Sequence, residues 1–257
     1  MATPRNSSVI KAFRILSAFR FAGEKLTLSQ LARRLDLNLA TTHRFLTTLV
    51  SVGAVSRTPD GAFELGLLLA DLGGRVSIAG TMHSVTQPHM DSLAGRFGET
   101  SHAAIPDNGQ VCYVAKGEGS RSLTIITHIG KRLPAYCTGL GKALLSEFDD
   151  GTLRQWIQQQ SFQRYTDRTL TSPRALEEEL ARTRDRGYAL DNEEVETGLR
   201  CVAVPVLDRN RQVRAAISLS APTSRLDQAK IHEIAAALQE HANDIGAVLS
   251  ETSTPPD

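Results

Sequence analysis

Three stretches of the chain carry side chains whose type and spacing could do chemistry. In NLATTHRFL, residues 38–46, threonines, a histidine and an arginine open an otherwise apolar helix. On a helical wheel Thr42, Phe45, Leu46 and Leu49 share one face, and Ala40, Arg44, Thr47 and Ser51 lie opposite, flanked by Thr41, His43 and Thr48. Such a short, polar, cationic face suits the major groove of DNA. Ala40 and Thr41 permit close approach, hydroxyls bond phosphates or bases, and Arg44 can take guanine or a phosphate. In TGLGKALL, residues 138–145, Thr138 can cap a helix whose free N–H groups, Gly139 to Lys142, form an anion-binding arrangement. It is not a P-loop, because Ala143 follows Lys142 and Tyr136 stands where glycine is required. In CVAVPVLD (201–208) and VRAAISLS (213–220), Val202, Val204, Val206, Ile217 and Leu219 form a packed strand face. The other face reads Cys201, Ala203, Pro205, Ala216, Ser218 and Ser220, small and half polar, and leaves room for a ligand pocket.

Two of these stretches have a plainer alternative: a solvated helix face for His43 and Arg44, and a strand face packed closely under a helix. Enzyme signatures are missing, with no GxSxG, HExxH or GxGxxG and no metal-ligand spacing among the histidines. Cys201/His102 or Cys137/His128 are conceivable nucleophile pairs. No catalytic residue, metal or cofactor is expected.

Periodicity supplies the scaffold. Val9, Ala12, Phe13, Leu16 and Phe19 follow helical spacing, and Gly23 ends that helix. Thr27 to Gln30 reads as a capping box before a second helix that buries Leu28, Leu31 and Leu35. After Asp36-Leu37-Asn38 comes the helix of residues 38–46, capped by Asn38 and stopped at Gly53. Two short helices across a tight turn make a helix-turn-helix. Ala54 to Leu65 reads as a hairpin turning at Pro59-Asp60-Gly61, and a hairpin there is a wing. Thr27 and Ser29 at the second helix start, and Arg57 in the wing, are placed for phosphate contacts. Residues from Leu67 to about Phe97 are largely helical, interrupted by Gly73-Gly74 and Pro88, and contain the domain boundary. Beyond it, strands are expected near 100–105, 110–115, 123–128, 188–191, 201–207 and 213–221. The helices expected there are Gly139–Ser146, Leu153–Gln159, Pro173–Arg186 and Asp227–Leu249.

Composition bounds the reading. The 257 residues, 41% hydrophobic and 22% charged, suffice for two domains. Net charge is +1, yet residues 1–80 hold ten Lys/Arg against five Asp/Glu, so a basic first third precedes a mildly acidic remainder. An anionic partner is expected for the N-terminus only. No apolar run reaches membrane-span length and the polar start lacks a secretory core, which points to the cytoplasm. Three scattered cysteines without a CxxC pair support neither a disulfide framework nor a zinc finger.

Taken together, LNLATTHRFLTTLVSVGAV, LPAYCTGLGKALL, RGYALDNEEVETGLRCVAVPV and AAISLSAPTSRL, in this order and spacing, resemble the IclR family of bacterial transcriptional regulators across nearly the whole chain. The resemblance implies an α+β protein: an N-terminal winged helix-turn-helix (1–66), a linker helix (67–82), a C-terminal GAF-like α/β effector-binding domain (83–250) and a disordered tail (251–257). It implies a homodimer or dimer of dimers that binds double-stranded operator DNA under small-molecule control. Family effector contacts carry over to Asp191, Cys201, Ser218 and Ser220, with the turn at Thr138, Gly139 and Leu140 closing the site. For Asp191 that role rests on the resemblance alone. One departure is Thr42, where the family is more often aliphatic. The expected effector is a small organic acid with its carboxylate toward the Thr138–Lys142 helix start and Ser218/Ser220. Linker residues Leu67, Leu68, Leu69 and Leu72 are the candidate dimer seam. The alternatives are a small-molecule enzyme tethered to DNA and an adaptor whose winged helix binds no DNA.

Overall fold

The structure, a computed structural model, describes residues 6–19, 23–74, 77–121 and 127–251. The chain divides into two compact units, residues 1–80 and 81–257. In the first, Asn6 caps α1 (Ser7–Leu16) by accepting from the N–H groups of Ser8 and Val9. The helix expected here forms, but Ile15, Ala18 and Phe19 turn inward while Val9 and Phe13 are 51% and 65% exposed. It also ends at Leu16, well before Gly23.

The capping box opens α2 (Leu28–Leu35) as the sequence predicts: Gln30 N–H donates to Thr27 Oγ1 at 3.3 Å and Thr27 N–H to Gln30 Oε1 at 2.8 Å. Asp36 reverses the chain in the left-handed region, and Asn38 then caps α3 (Leu39–Ser51), accepting from Thr41 N–H at 2.7 Å. Leu31, Leu46 and Leu49 join Ile15, Leu26 and Phe63 in one core. Each fully buried leucine contributes about 1.5–3 kcal/mol. The wing is β1 (Val55–Arg57) paired antiparallel with β2 (Phe63–Leu65), its turn closed by Gly61 at φ 85°.

Two helices follow, α4 (Leu67–Gly74) and α5 (Ser77–Phe97). Pro88 does not interrupt the helix as expected but sits inside α5. Pro88 and Ser84 are both exposed, so the carbonyl four residues back that loses its helical donor lies on the solvent side.

The second unit is built on a six-stranded antiparallel sheet. In chain order its strands are β3 (Thr100–Asp107), β4 (Gln110–Gly117), β5 (Arg132–Pro134), β6 (Ala189–Asn192), β7 (Leu199–Leu207) and β8 (Val213–Pro222). Their spatial order is β5-β4-β3-β8-β7-β6. The three-residue β5 was not expected. Residues 123–126 of the strand anticipated at 123–128, and 252–257 of the tail, lie outside the described residues.

Val202, Val204, Val206, Ile217 and Leu219 form the packed face as parity predicts, covered by Met90 and Leu93 of α5 and by Ile231, Ile234 and Leu238 of α9 (Gln228–Glu251). The opposite face meets α6 (Gly139–Leu145), and Leu153 of α7 (Asp150–Gln158) and Leu176 and Leu180 of α8 (Pro173–Arg186) complete that second core. Ala203 and Ala216 are small because α6 packs there, so the plainer alternative holds for that part of the face. Gly141 is a packing requirement too: a Cβ on it would stand 2.2 Å from the Ala135 carbonyl oxygen.

Candidate functional site

Where α6 leaves the sheet uncovered, Thr138, Gly139, Leu140, Asp191, Cys201, Ser218 and Ser220 line one cavity of about 170 Å³. All seven residues singled out in the sequence thus meet at one place. Register brings them there: Asp191 lies opposite Cys201, Cys201 opposite Ser220, and Ser218 opposite Ala203. The Ser220 hydroxyl donates to Cys201 Sγ at 3.0 Å. Ser218 is buried, and among the described residues its hydroxyl has no partner.

The start of α6 is less open than its sequence suggested. Thr138 Oγ1 accepts from Gly141 N–H at 3.1 Å, and Lys142 N–H donates to the Thr138 carbonyl at 3.0 Å. Only Gly139 and Leu140 are left without a partner inside the helix. The Lys142 side chain does not line the cavity. It is fully buried, and its ammonium is paired with Glu194 Oε1.

That pair stands beside Asp191 in a tightly braced loop. Thr166 and Thr169 hydroxyls donate to the carbonyls of Glu193 and Glu194, each at 2.6 Å, and Glu194 N–H donates to Asp191 Oδ1 at 2.8 Å. Burial pushes the Asp191 carboxyl up to about 7, helped by the charge of Glu194 and opposed by Lys142 and the loop N–H groups. Burial likewise raises Glu194 against the pull of Lys142. Glu194 Oε2 is buried with no hydrogen-bond partner among the described residues.

The rest of the lining was not singled out as binding residues: His102, Tyr113, Thr127, Lys131, Leu133, Val195, Glu196 and Leu199. His102 lies opposite Ser218 on the neighbouring strand, so the parity argument reaches it once β3 is known to flank β8. Its Nε2 is 2.7 Å from Thr127 Oγ1, and its ring meets Tyr113 edge-on at 5.1 Å. Burial, reinforced by Lys116 and Lys131, lowers His102 to about 3, so the imidazole is neutral. Burial also lowers Lys131, opposed by Glu196. Neither conceivable nucleophile pair forms. Cys201 is bonded to Ser220 and Cys137 to the Pro134 carbonyl, and burial raises both thiols, Cys137 to about 12. Among the described residues no group of three His, Cys, Asp or Glu is arranged to hold a metal, and no helix is long and apolar enough to cross a membrane.

In the first unit, α3 exposes Ala40, His43, Arg44 and Thr47, with Thr41 half-buried beside them. Thr42 is buried and its hydroxyl donates to the Asn38 carbonyl at 3.0 Å, which satisfies the polar group at a core position. Thr47 donates in the same way to His43, leaving its oxygen lone pairs outward. Thr27 and Ser29 are exposed at the start of α2, with the Thr27 hydroxyl engaged in the cap. Exposed Arg57 lies 5.9 Å over the Phe63 ring. The polar face of α3 and the cavity residues therefore fall into separate units.

Comparison with known proteins gives the same division. Residues 8–59 match the IclR helix-turn-helix domain, and residues 79–247 match the family described as bacterial transcriptional regulator IclR C-terminal. The chain is 34% identical over 238 residues to the HTH-type transcriptional regulator XynR of Escherichia coli, covering 92% of this chain and 94% of XynR. It is 35% identical over 244 residues to the regulator KdgR of Escherichia coli, covering 95% and 92% of the two chains. An IclR homologue from Microbacterium hydrocarbonoxydans, solved in complex with 4-hydroxybenzoate, superposes with a TM-score of 0.77 at 26% identity, covering 96% of this chain and all of that one.

Proposed function

The chain belongs to the IclR family of bacterial transcriptional regulators, and on that premise we propose that it changes its grip on a two-fold operator when a compact organic acid enters the cavity. It is a DNA-binding, ligand-responsive regulator rather than an enzyme. The observation that carries the finer reading is the small cavity itself: Ser218, whose hydroxyl has no partner among the described residues, and Gly139 and Leu140 at the start of α6 line it, and its volume of about 170 Å³ admits only a compact ligand. The 4-hydroxybenzoate held by the Microbacterium homologue is such a ligand and supports the acid class.

On the DNA side, α3 enters the major groove with Ala40, Thr41, His43, Arg44 and Thr47 toward the bases, while Thr27, Ser29 and Arg57 hold phosphates. One winged helix contacts too few phosphates for useful specificity, so the protein acts as a dimer or dimer of dimers, in the cytoplasm where its operator lies. In the linker helix Leu67 and Leu72 are exposed and form the seam, whereas Leu68 and Leu69 pack on the winged-helix core.

The reading is tested by selecting an operator from random duplex DNA and screening hydroxy, oxo and aromatic acids, with their amides, by thermal shift. Stabilisation by acids of the C-terminal unit supports it. Stabilisation only by amides or polyols contradicts it.

A further inference from the structure

We propose that Asp191 is the group that makes this cavity select an acid, by holding one proton between its own carboxyl and the carboxylate of the ligand. The inference rests on the organic-acid reading above and concerns how the site accepts the charge.

Lys142 is buried, absent from the cavity wall and paired with Glu194; its pull on Asp191 is opposed by the charge of Glu194 and outweighed by burial. Asp191 stands in the wall and, among the described residues, forms no ion pair, so burial keeps it hard to ionise. Groups facing it from the other packed elements add no cation. Cys201 on β7, Cys137 in the turn before α6 and Tyr113 on β4 are all held neutral by burial. His102 on β3 is neutral, Glu179 on α8 is bound to Arg186 and Arg182, and at the mouth Lys131 faces Glu196.

A carboxylate entering about 170 Å³ shared with Asp191 therefore meets a second carboxyl at close range. Two carboxyl groups in one such space cannot both ionise, and one proton between them makes a strong charge-assisted hydrogen bond. The balance is one ligand anion plus one solvent proton per site, the proton ending on the Asp191–ligand pair. Because Asp191 already sits at about 7 in the empty cavity, proton uptake is small below neutrality and approaches one proton above it. An amide of the same shape needs no proton.

Calorimetry with the full-length protein tests this directly. The probes are 4-hydroxybenzoate, lactate and 2-oxobutyrate, each against its amide, from pH 6 to 8.5 in phosphate and in Tris. The expected result is a Kd for the acids that rises about tenfold per pH unit above neutrality, with matching proton uptake, and a flat Kd for any amide that binds. In Asp191→Asn the pH dependence and the uptake vanish; the wild-type measurement stands even if that variant does not fold. Acids that bind with a flat Kd and no proton uptake overturn the proton-sharing role and leave the organic-acid reading intact. If none of the acids binds at millimolar concentration, or only the amides bind, both are overturned.

Discussion

Lys142 and Glu194 form an ion pair with both side chains buried, immediately behind the wall of the cavity. The lysine is therefore a structural counter-charge rather than a ligand contact. Lys142→Met is expected to destabilise the protein by about 3–5 kcal/mol, because it leaves Glu194 and Asp191 buried without their cation. Lys142→Met combined with Glu194→Leu should recover most of that loss, since an apolar pair needs no desolvation. Urea unfolding of the two variants measures both effects, and equal losses in single and double variants would contradict the assignment.

The pH dependence of stability separates two buried groups of opposite sign. Asp191, at 3.8 ordinarily and about 7 in the fold, keeps a proton that the unfolded chain has released. Its contribution is complete below pH 3.8 and is lost as pH rises through 7. His102, at 6.5 ordinarily and about 3 in the fold, behaves oppositely: its contribution is complete above pH 6.5 and is lost as pH falls through 3. Each slope is about 1.4 kcal/mol per pH unit, so the two offset each other between about pH 4 and 6.5. Relative to wild type, Asp191→Asn should make stability rise with pH across that window and His102→Gln should make it fall. Parallel curves for all three proteins would rule this out.

For the DNA face, Arg44→Ala should weaken operator binding by about 1–3 kcal/mol, and the logarithm of the wild-type affinity should fall steeply with the logarithm of salt concentration. Fluorescence anisotropy with the selected operator gives both quantities. An unchanged affinity in the variant would remove α3 from the groove.

Sedimentation checks the assembly. The protein should be at least a dimer at micromolar concentration, its operator should have half-sites about one helical turn apart, and Leu67→Asp with Leu72→Asp should shift it toward monomer. A monomer that binds one half-site specifically would contradict the two-fold reading.

How much of this was legible in the sequence depended on whether the signal was local. Caps are local: Thr27 with Gln30, and Asn38, stand where the spacing places them. Strand parity is local too, and it separated Val202, Val204 and Val206 from Cys201, Ser218 and Ser220. What parity cannot say is which strand lies next door, so His102 and Tyr113 joined the site only through the β3–β8 and β3–β4 pairings. The commitment of Lys142 to Glu194 was hidden for the same reason, since the two are 52 positions apart. Val9 and Phe13 were misleading in another way, because helical spacing reports a helix but not which of its apolar residues find a partner.

The most direct test of the central claim is the affinity of the purified protein for its selected operator as acid is titrated in, for wild type and Ser220→Ala. The claim is that a compact acid in the cavity controls DNA binding from the other unit. Wild type should change its operator affinity at least about fivefold, the low end of an allosteric coupling of 1–3 kcal/mol. In Ser220→Ala the same change should require more acid, corresponding to about 0.5–3 kcal/mol of lost ligand binding, while ligand-free operator affinity stays the same. An acid that saturates the cavity by calorimetry yet leaves the wild-type operator affinity unmoved would contradict the account.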